Sequence, residues 1–150
     1  MLERCRARGL TLGTAESCTG GLVAGRLTTV PGSSDVFRGG VVAYDDDVKR
    51  TLLGVPEDLL AAHGAVSADA AEAMAHGARE RLGVDVAVSV TGIAGPSGGT
   101  PEKPVGLVFF HVAGPAGERS FRFEIPGDRE WIRARAAVAC LHLVRRLLET

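Results

Sequence analysis

A chain of 150 residues that is 45% hydrophobic has enough apolar material for one core, and residues 1–150 are read as a single domain. The formal net charge of −1 leaves no basic excess to neutralise a phosphate backbone, which argues against a nucleic-acid partner. No apolar run nears the roughly 20 residues of a membrane span, and the opening MLERCRARG has no apolar signal-peptide stretch. Cys5, Cys18 and Cys140 are far apart and odd in number, which argues against a zinc knuckle and a disulfide framework and for a reducing compartment. A cytoplasmic location is expected.

In chain order, residues 2–8 suit a short helix and residues 10–15 (LTLGTA) a strand. Apolar residues at helical spacing over residues 21–30 form a helix that Pro31 and Gly32 stop. Residues 36–44 (VFRGGVVAY) are a strand by their β-branched and aromatic content. Asp45 to Asp47 then offer an N-cap and favourable charge to a helix ending near Leu53, before Gly54 and Pro56. EDLLAAHG makes another short helix, and Ser67 caps a longer one that Gly83 ends. Residues 84–90 (VDVAVSV) are apolar at nearly every position, as in a strand covered on both faces. After the Gly- and Pro-rich TGIAGPSGGTPEKP, two strands flank PAG as a hairpin. Asp128 caps a closing helix over residues 129–148, with Trp131, Ile132, Val138, Leu141 and Leu148 among its apolar positions. Helices interleave with strands, but the last two strands share a hairpin. The expected fold is therefore α/β, a three-layer α/β/α sandwich around a mixed, mostly parallel sheet.

Ligands of open α/β sheets collect at the carboxyl ends of strands, where loops and helix N-termini present free N–H groups. Three segments reach that end: AESCTGG, AYDDDVK and TGIAGPSGG. In the first, Ser17 stands between strand and helix, and the glycines let the backbone amides of Cys18, Thr19 and Gly20 turn inward as an oxyanion hole. The chain contains neither Asn nor Gln, so such a hole has to use backbone. The plainer role for Ser17 or Thr19 is to N-cap the helix starting near Gly20, and the spacing leaves both readings open.

A serine nucleophile needs a proton acceptor. All four histidines lie outside the glycine-rich loops, so a Ser-His-Asp triad finds little support. A lysine kept partly neutral by burial or by a neighbouring cation does the same work. Lys49 follows Tyr44 by five residues, from strand end to first helical turn, and Arg50 is the adjacent cation. That step brings phenol and ammonium within reach of each other. The loop TGIAGPSGG fits neither G-x-G-x-x-G nor a P-loop, yet its amides suit a phosphate or carboxylate. Arg129, next to the cap Asp128, offers a guanidinium at a helix N-terminus. No cluster at metal-ligand spacing is present, and no metal or cofactor is expected.

The stretches TAESCTGG, PGSS, FRGGVVAY with Lys five after the Tyr, LLAAHGAVS, SVTGIAGPSGG, EKPVG and GDR span nearly the whole chain. Together, and in that order, they resemble the nicotinamide-nucleotide amidohydrolases, the family of the C-terminal domain of competence-damage-inducible protein CinA. The resemblance implies hydrolysis of the carboxamide of nicotinamide mononucleotide to nicotinate mononucleotide and ammonia. It also implies a serine nucleophile with a lysine and a tyrosine, carried onto Ser17, Lys49 and Tyr44. Family members often carry an additional N-terminal domain, and this chain looks like the stand-alone form. Phosphate binding is assigned to Arg129 and the loop around Thr91 and Gly92. A small-molecule nucleotide is the expected partner, without nucleic acid or membrane, and self-association is left open. Two alternatives remain: a Cys18 nucleophile with Glu16 and Lys49, and a nucleotide-binding or regulatory module without turnover.

Overall fold

The computed structural model describes residues 1–149. Its elements in order are α1 (Leu2–Ala7), β1 (Leu12–Glu16), α2 (Leu22–Thr28), β2 (Phe37–Val42), α3 (Asp46–Leu53), α4 (Glu57–His63), α5 (Ala68–Leu82), β3 (Val86–Gly92), β4 (Leu107–Gly114), β5 (Gly117–Glu124) and α6 (Arg129–Leu147). Three helices begin at the caps read from sequence. Asp45 accepts the Asp47 amide at 2.8 Å, Ser67 the Ala70 amide at 3.1 Å and Asp128 the Trp131 amide at 2.8 Å.

The sheet order is β2-β1-β3-β4-β5. β1 pairs in parallel with β2 and β3, whereas β4 is antiparallel to both β3 and β5, so β4 alone is reversed. This is the mixed sheet that a terminal hairpin requires. β1 and β3, at the centre, are buried almost throughout, as the apolar run in β3 demands of a strand covered on both faces. β5 is an exposed edge.

Two cores lie on opposite faces. Leu12, Val88, Val90 and Phe110 of the sheet pack with Cys5 of α1, Val23 and Leu27 of α2, and Ile132, Ala136 and Cys140 of α6. On the other face, Ala15, Ala43 and Ala87 meet Leu53 of α3 and Met74 and Ala78 of α5. These are the three layers. Trp131 departs from the apolar stripe read for α6: it is 54% exposed, with the Arg135 guanidinium 5.4 Å from its ring centroid. Among the described residues, no helix is long and apolar enough to cross a membrane.

Parallel pairing brings the ends of β1, β2 and β3 to one edge. Glu16 stands beside both Val42 and Val90, so the three loops that follow open side by side.

Candidate active site

The turn after β1 is organised by Glu16. Its buried carboxylate accepts the Thr19 hydroxyl at 2.6 Å and the amides of Gly21 and Val23 at 3.0 Å and Ala24 at 2.8 Å. These amides are orphan donors of the α2 N-terminus, where a negative charge is also favoured by the helix dipole. Gly20 and Gly21, at φ +57° and +103°, supply the left-handed turn that bends the chain back over Glu16. The helix is thus capped neither by Ser17 nor by Thr19 but by the residue that ends the strand. Ser17 Oγ is left without a hydrogen-bond partner among the described residues.

Ser17 lies in a cavity of about 280 Å³ with Cys18, Tyr44, Asp46, Lys49, Thr91 and Arg129. Its amide donates to Val90 at 3.0 Å, which fixes the residue to the end of β3. The amides of Cys18 and Thr19 donate to no carbonyl or side-chain oxygen among the described residues; Cys18 lines the cavity, whereas Thr19 is fully buried and does not. The Gly20 amide is taken, donating to the Ser17 carbonyl at 3.1 Å. Arg133 of α6 holds the turn from behind, with its guanidinium bonded to the carbonyls of Cys18 at 3.0 Å and Thr19 at 3.2 Å.

Lys49 is only 1% exposed. Its Nζ donates to the Tyr44 carbonyl at 3.2 Å and lies 3.6 Å from Asp46. Burial lowers its pKa below the ordinary lysine value, and the carboxylates of Asp46 and Asp45 oppose part of that shift. Arg50 is not the cause: it points outward and pairs with Asp47 at 2.8 Å. The phenol of Tyr44 does not meet the ammonium either. Tyr44 is 59% exposed, and its hydroxyl accepts from Arg129 at 2.9 Å.

Arg129 also donates to the Gly95 carbonyl at 2.8 Å, tying the α6 N-terminus to the glycine-rich loop. Thr91 is buried and donates its hydroxyl to Ala65 at 2.7 Å. Gly92 has no room for a side chain, since a Cβ there would stand 2.7 Å from the Leu107 carbonyl oxygen. Ser97 and Gly98 of the loop complete the rim of the cavity. Lys103 is a strut of that loop, reaching the His63 carbonyl at 2.7 Å. The structure therefore brings Ser17, Tyr44, Lys49, Thr91, Gly92 and Arg129 around one cavity. Sequence reasoning missed Asp46, Glu16 in its capping role, and Arg133.

The alternative set built on Cys18 lacks its chemistry. Burial pushes the Cys18 thiol up to about 12, so the nucleophilic thiolate is scarce near neutral pH. Glu16 has its carboxylate committed to four donors and is no base for it.

A serine at a strand-to-helix turn, a backbone amide beside it and a buried lysine line one cavity. The model of the CinA C-terminal domain matches residues 1–148, and the chain belongs to that family. It is 53% identical over 146 residues to a CinA-like protein of Gemmatimonas aurantiaca, an alignment covering 97% of this chain and 34% of that protein. The chain spans about a third of the length of the curated relatives it matches. Among solved structures, competence/damage inducible protein CihA from Agrobacterium tumefaciens superposes with a TM-score of 0.94 at 43% identity, covering 97% of this chain and 90% of that one. A competence-damaged protein (CinA) superfamily protein from Escherichia coli gives a TM-score of 0.93 at 34% identity, covering 97% and 84%.

Proposed function

We propose that this chain hydrolyses the carboxamide of nicotinamide mononucleotide, giving nicotinate mononucleotide and ammonia through an acyl-enzyme on Ser17. The observation that carries this reading is the Ser17 hydroxyl, released from capping by Glu16 and left unpaired in a cavity that also holds the buried Lys49. Ser17 Oγ attacks the carboxamide carbon as its proton passes to the neutral amine of Lys49, directly or through a water. The Cys18 amide, at the wall of the cavity, holds the oxyanion. Lys49 returns the proton to the departing nitrogen, ammonia leaves, and water attacks the acyl carbon to release nicotinate mononucleotide and restore Ser17.

The pyridinium charge of the substrate makes the carbonyl more electrophilic, so the chemistry proceeds without a metal in this cavity. Arg129 and the amides of the loop after Thr91 and Gly92 receive the phosphate. No hydrogen bond joins Ser17 to Lys49 without substrate, a common condition of catalytic pairs that tighten only in the complex. The three cysteines are free and buried, which fits the cytoplasmic location we assign.

The test is turnover by the purified chain in EDTA, read as ammonia release together with formation of nicotinate mononucleotide. Ser17→Ala abolishes turnover and keeps nucleotide binding, because the hydroxyl acts on the reacting carbon alone. Cys18→Ala is mild. Activity lost to chelator and restored by a divalent metal, or an inactive Cys18→Ala beside an active Ser17→Ala, overturns the mechanism.

A further inference from the structure

Outside the cavity, on the sheet face covered by α5, three side chains from three elements converge. His76 of α5, His111 of β4 and Glu118 of β5 place one ligand atom each within 4.8 Å of one another. His76 Nε2 lies 2.7 Å and His111 Nε2 3.4 Å from the same oxygen, Glu118 Oε2. We propose that His76, His111 and Glu118 bind one divalent transition ion of the zinc class, with water completing its coordination.

The donor set is two imidazoles and a carboxylate, which suits zinc and related first-row ions. Ligands at zinc–nitrogen and zinc–oxygen distances of about 2.0–2.2 Å in a tetrahedron stand roughly 3.3 Å apart. Two of the three separations, at 2.7 and 3.4 Å, bracket that value, and the third is within 4.8 Å, so side-chain rotation is enough to close the set around one ion. The groups behind the ligands are also in place. His111 Nδ1 lies 2.9 Å from Ser120 Oγ, which orients the ring and leaves Nε2 for the ion, the arrangement metal-bound histidines favour. Arg79 stands 3.9 Å from the other oxygen, Glu118 Oε1, so Oε2 is the ligating atom.

Access is open on the solvent side, since the His76 side chain is 47% and that of Glu118 39% exposed. An ion here fastens the exposed edge strand β5 to α5. It does so without touching the cavity of Ser17, so the proposal is independent of the amidohydrolase reading.

Untagged full chain, stripped by chelator and dialysed, is titrated with Co(II) and then with Zn(II). The expected result is saturable uptake of one Co(II) per chain, with visible d–d bands of a four- or five-coordinate ion that Zn(II) abolishes. The melting temperature rises with metal concentration. His76→Ala and Glu118→Gln, both at solvent-open positions, lose the bands and the thermal shift. Ser120→Ala binds about 10–100-fold more weakly, and His63→Ala behaves as the wild type. Absence of saturable uptake by the wild type, or undiminished uptake by His76→Ala, overturns the proposal.

Discussion

Lys49 and Tyr44 meet through the backbone: the ammonium donates to the Tyr44 carbonyl at 3.2 Å, while the phenol turns away to Arg129. Removing the phenolic oxygen therefore leaves the lysine in place. Tyr44→Phe is expected to lower kcat less than Lys49→Arg does, and to act mainly on KM by loosening Arg129, the proposed phosphate contact. Steady-state kinetics of the two variants checks this. An equal collapse of kcat in Tyr44→Phe would make the phenol the proton carrier.

Lys49 carries a pH dependence whose sign follows from its burial. Its folded pKa lies below the ordinary 10.5, so the neutral base appears as pH rises through that lowered value. On the proposed mechanism the rate is expected to rise over the same window. Stability rises there too, because between the folded pKa and 10.5 the unfolded chain binds more protons than the native one. Lys49→Arg keeps the charge and cannot release a proton in this range. It should cut the rate by about 10²–10⁴-fold and remove the alkaline rise, whereas Lys103→Arg does neither. Rate–pH profiles of both variants decide it.

Glu16 is a structural anion at the turn that carries Ser17. Glu16→Gln replaces one acceptor oxygen by an NH₂ group facing backbone donors, so part of the four-donor set is left buried and unpaired. A loss of about 1–3 kcal/mol is expected, read by urea denaturation. Because Ser17 is the next residue, turnover should fall with it, and an unchanged unfolding midpoint would contradict the capping role.

Thr14 offers a gain in the opposite direction. Its hydroxyl is fully buried in β1 with no hydrogen-bond partner among the described residues. Thr14→Val keeps the β-branched shape and removes that unpaired group, and it should stabilise the domain by about 1–3 kcal/mol. Thermal and chemical denaturation of the variant measure the difference, and a destabilised variant would mean that the hydroxyl is paired in solution.

The layered fold was legible in the sequence because its cues are local. Asp45, Ser67 and Asp128 each cap a helix through an amide two or three residues away, a contact that needs no partner from elsewhere in the chain. The β-branched run of β3 and the PAG turn before β5 likewise announced a buried central strand and a hairpin. Family-like stretches placed Ser17 after β1, Lys49 in the first turns of α3 after β2, and Arg129 at the start of α6, and the parallel pairing of β1 with β2 and β3 opens the first two segments at one edge.

What tertiary structure alone decided are contacts across long separations, where packing and not spacing sets the geometry. The cap of α2 came from Glu16, five to eight residues before the amides it accepts, because two left-handed glycines fold the turn over it. The lowered pKa of Lys49 comes from burial behind the cavity, not from its neighbour Arg50. Arg129 found Tyr44 across 85 residues and Arg133 found the Cys18 carbonyl across 115, since α6 packs beside α2 on one face of the sheet. His76, His111 and Glu118 gave no sequence signal, being brought together only when α5 packs on β4 and its hairpin partner.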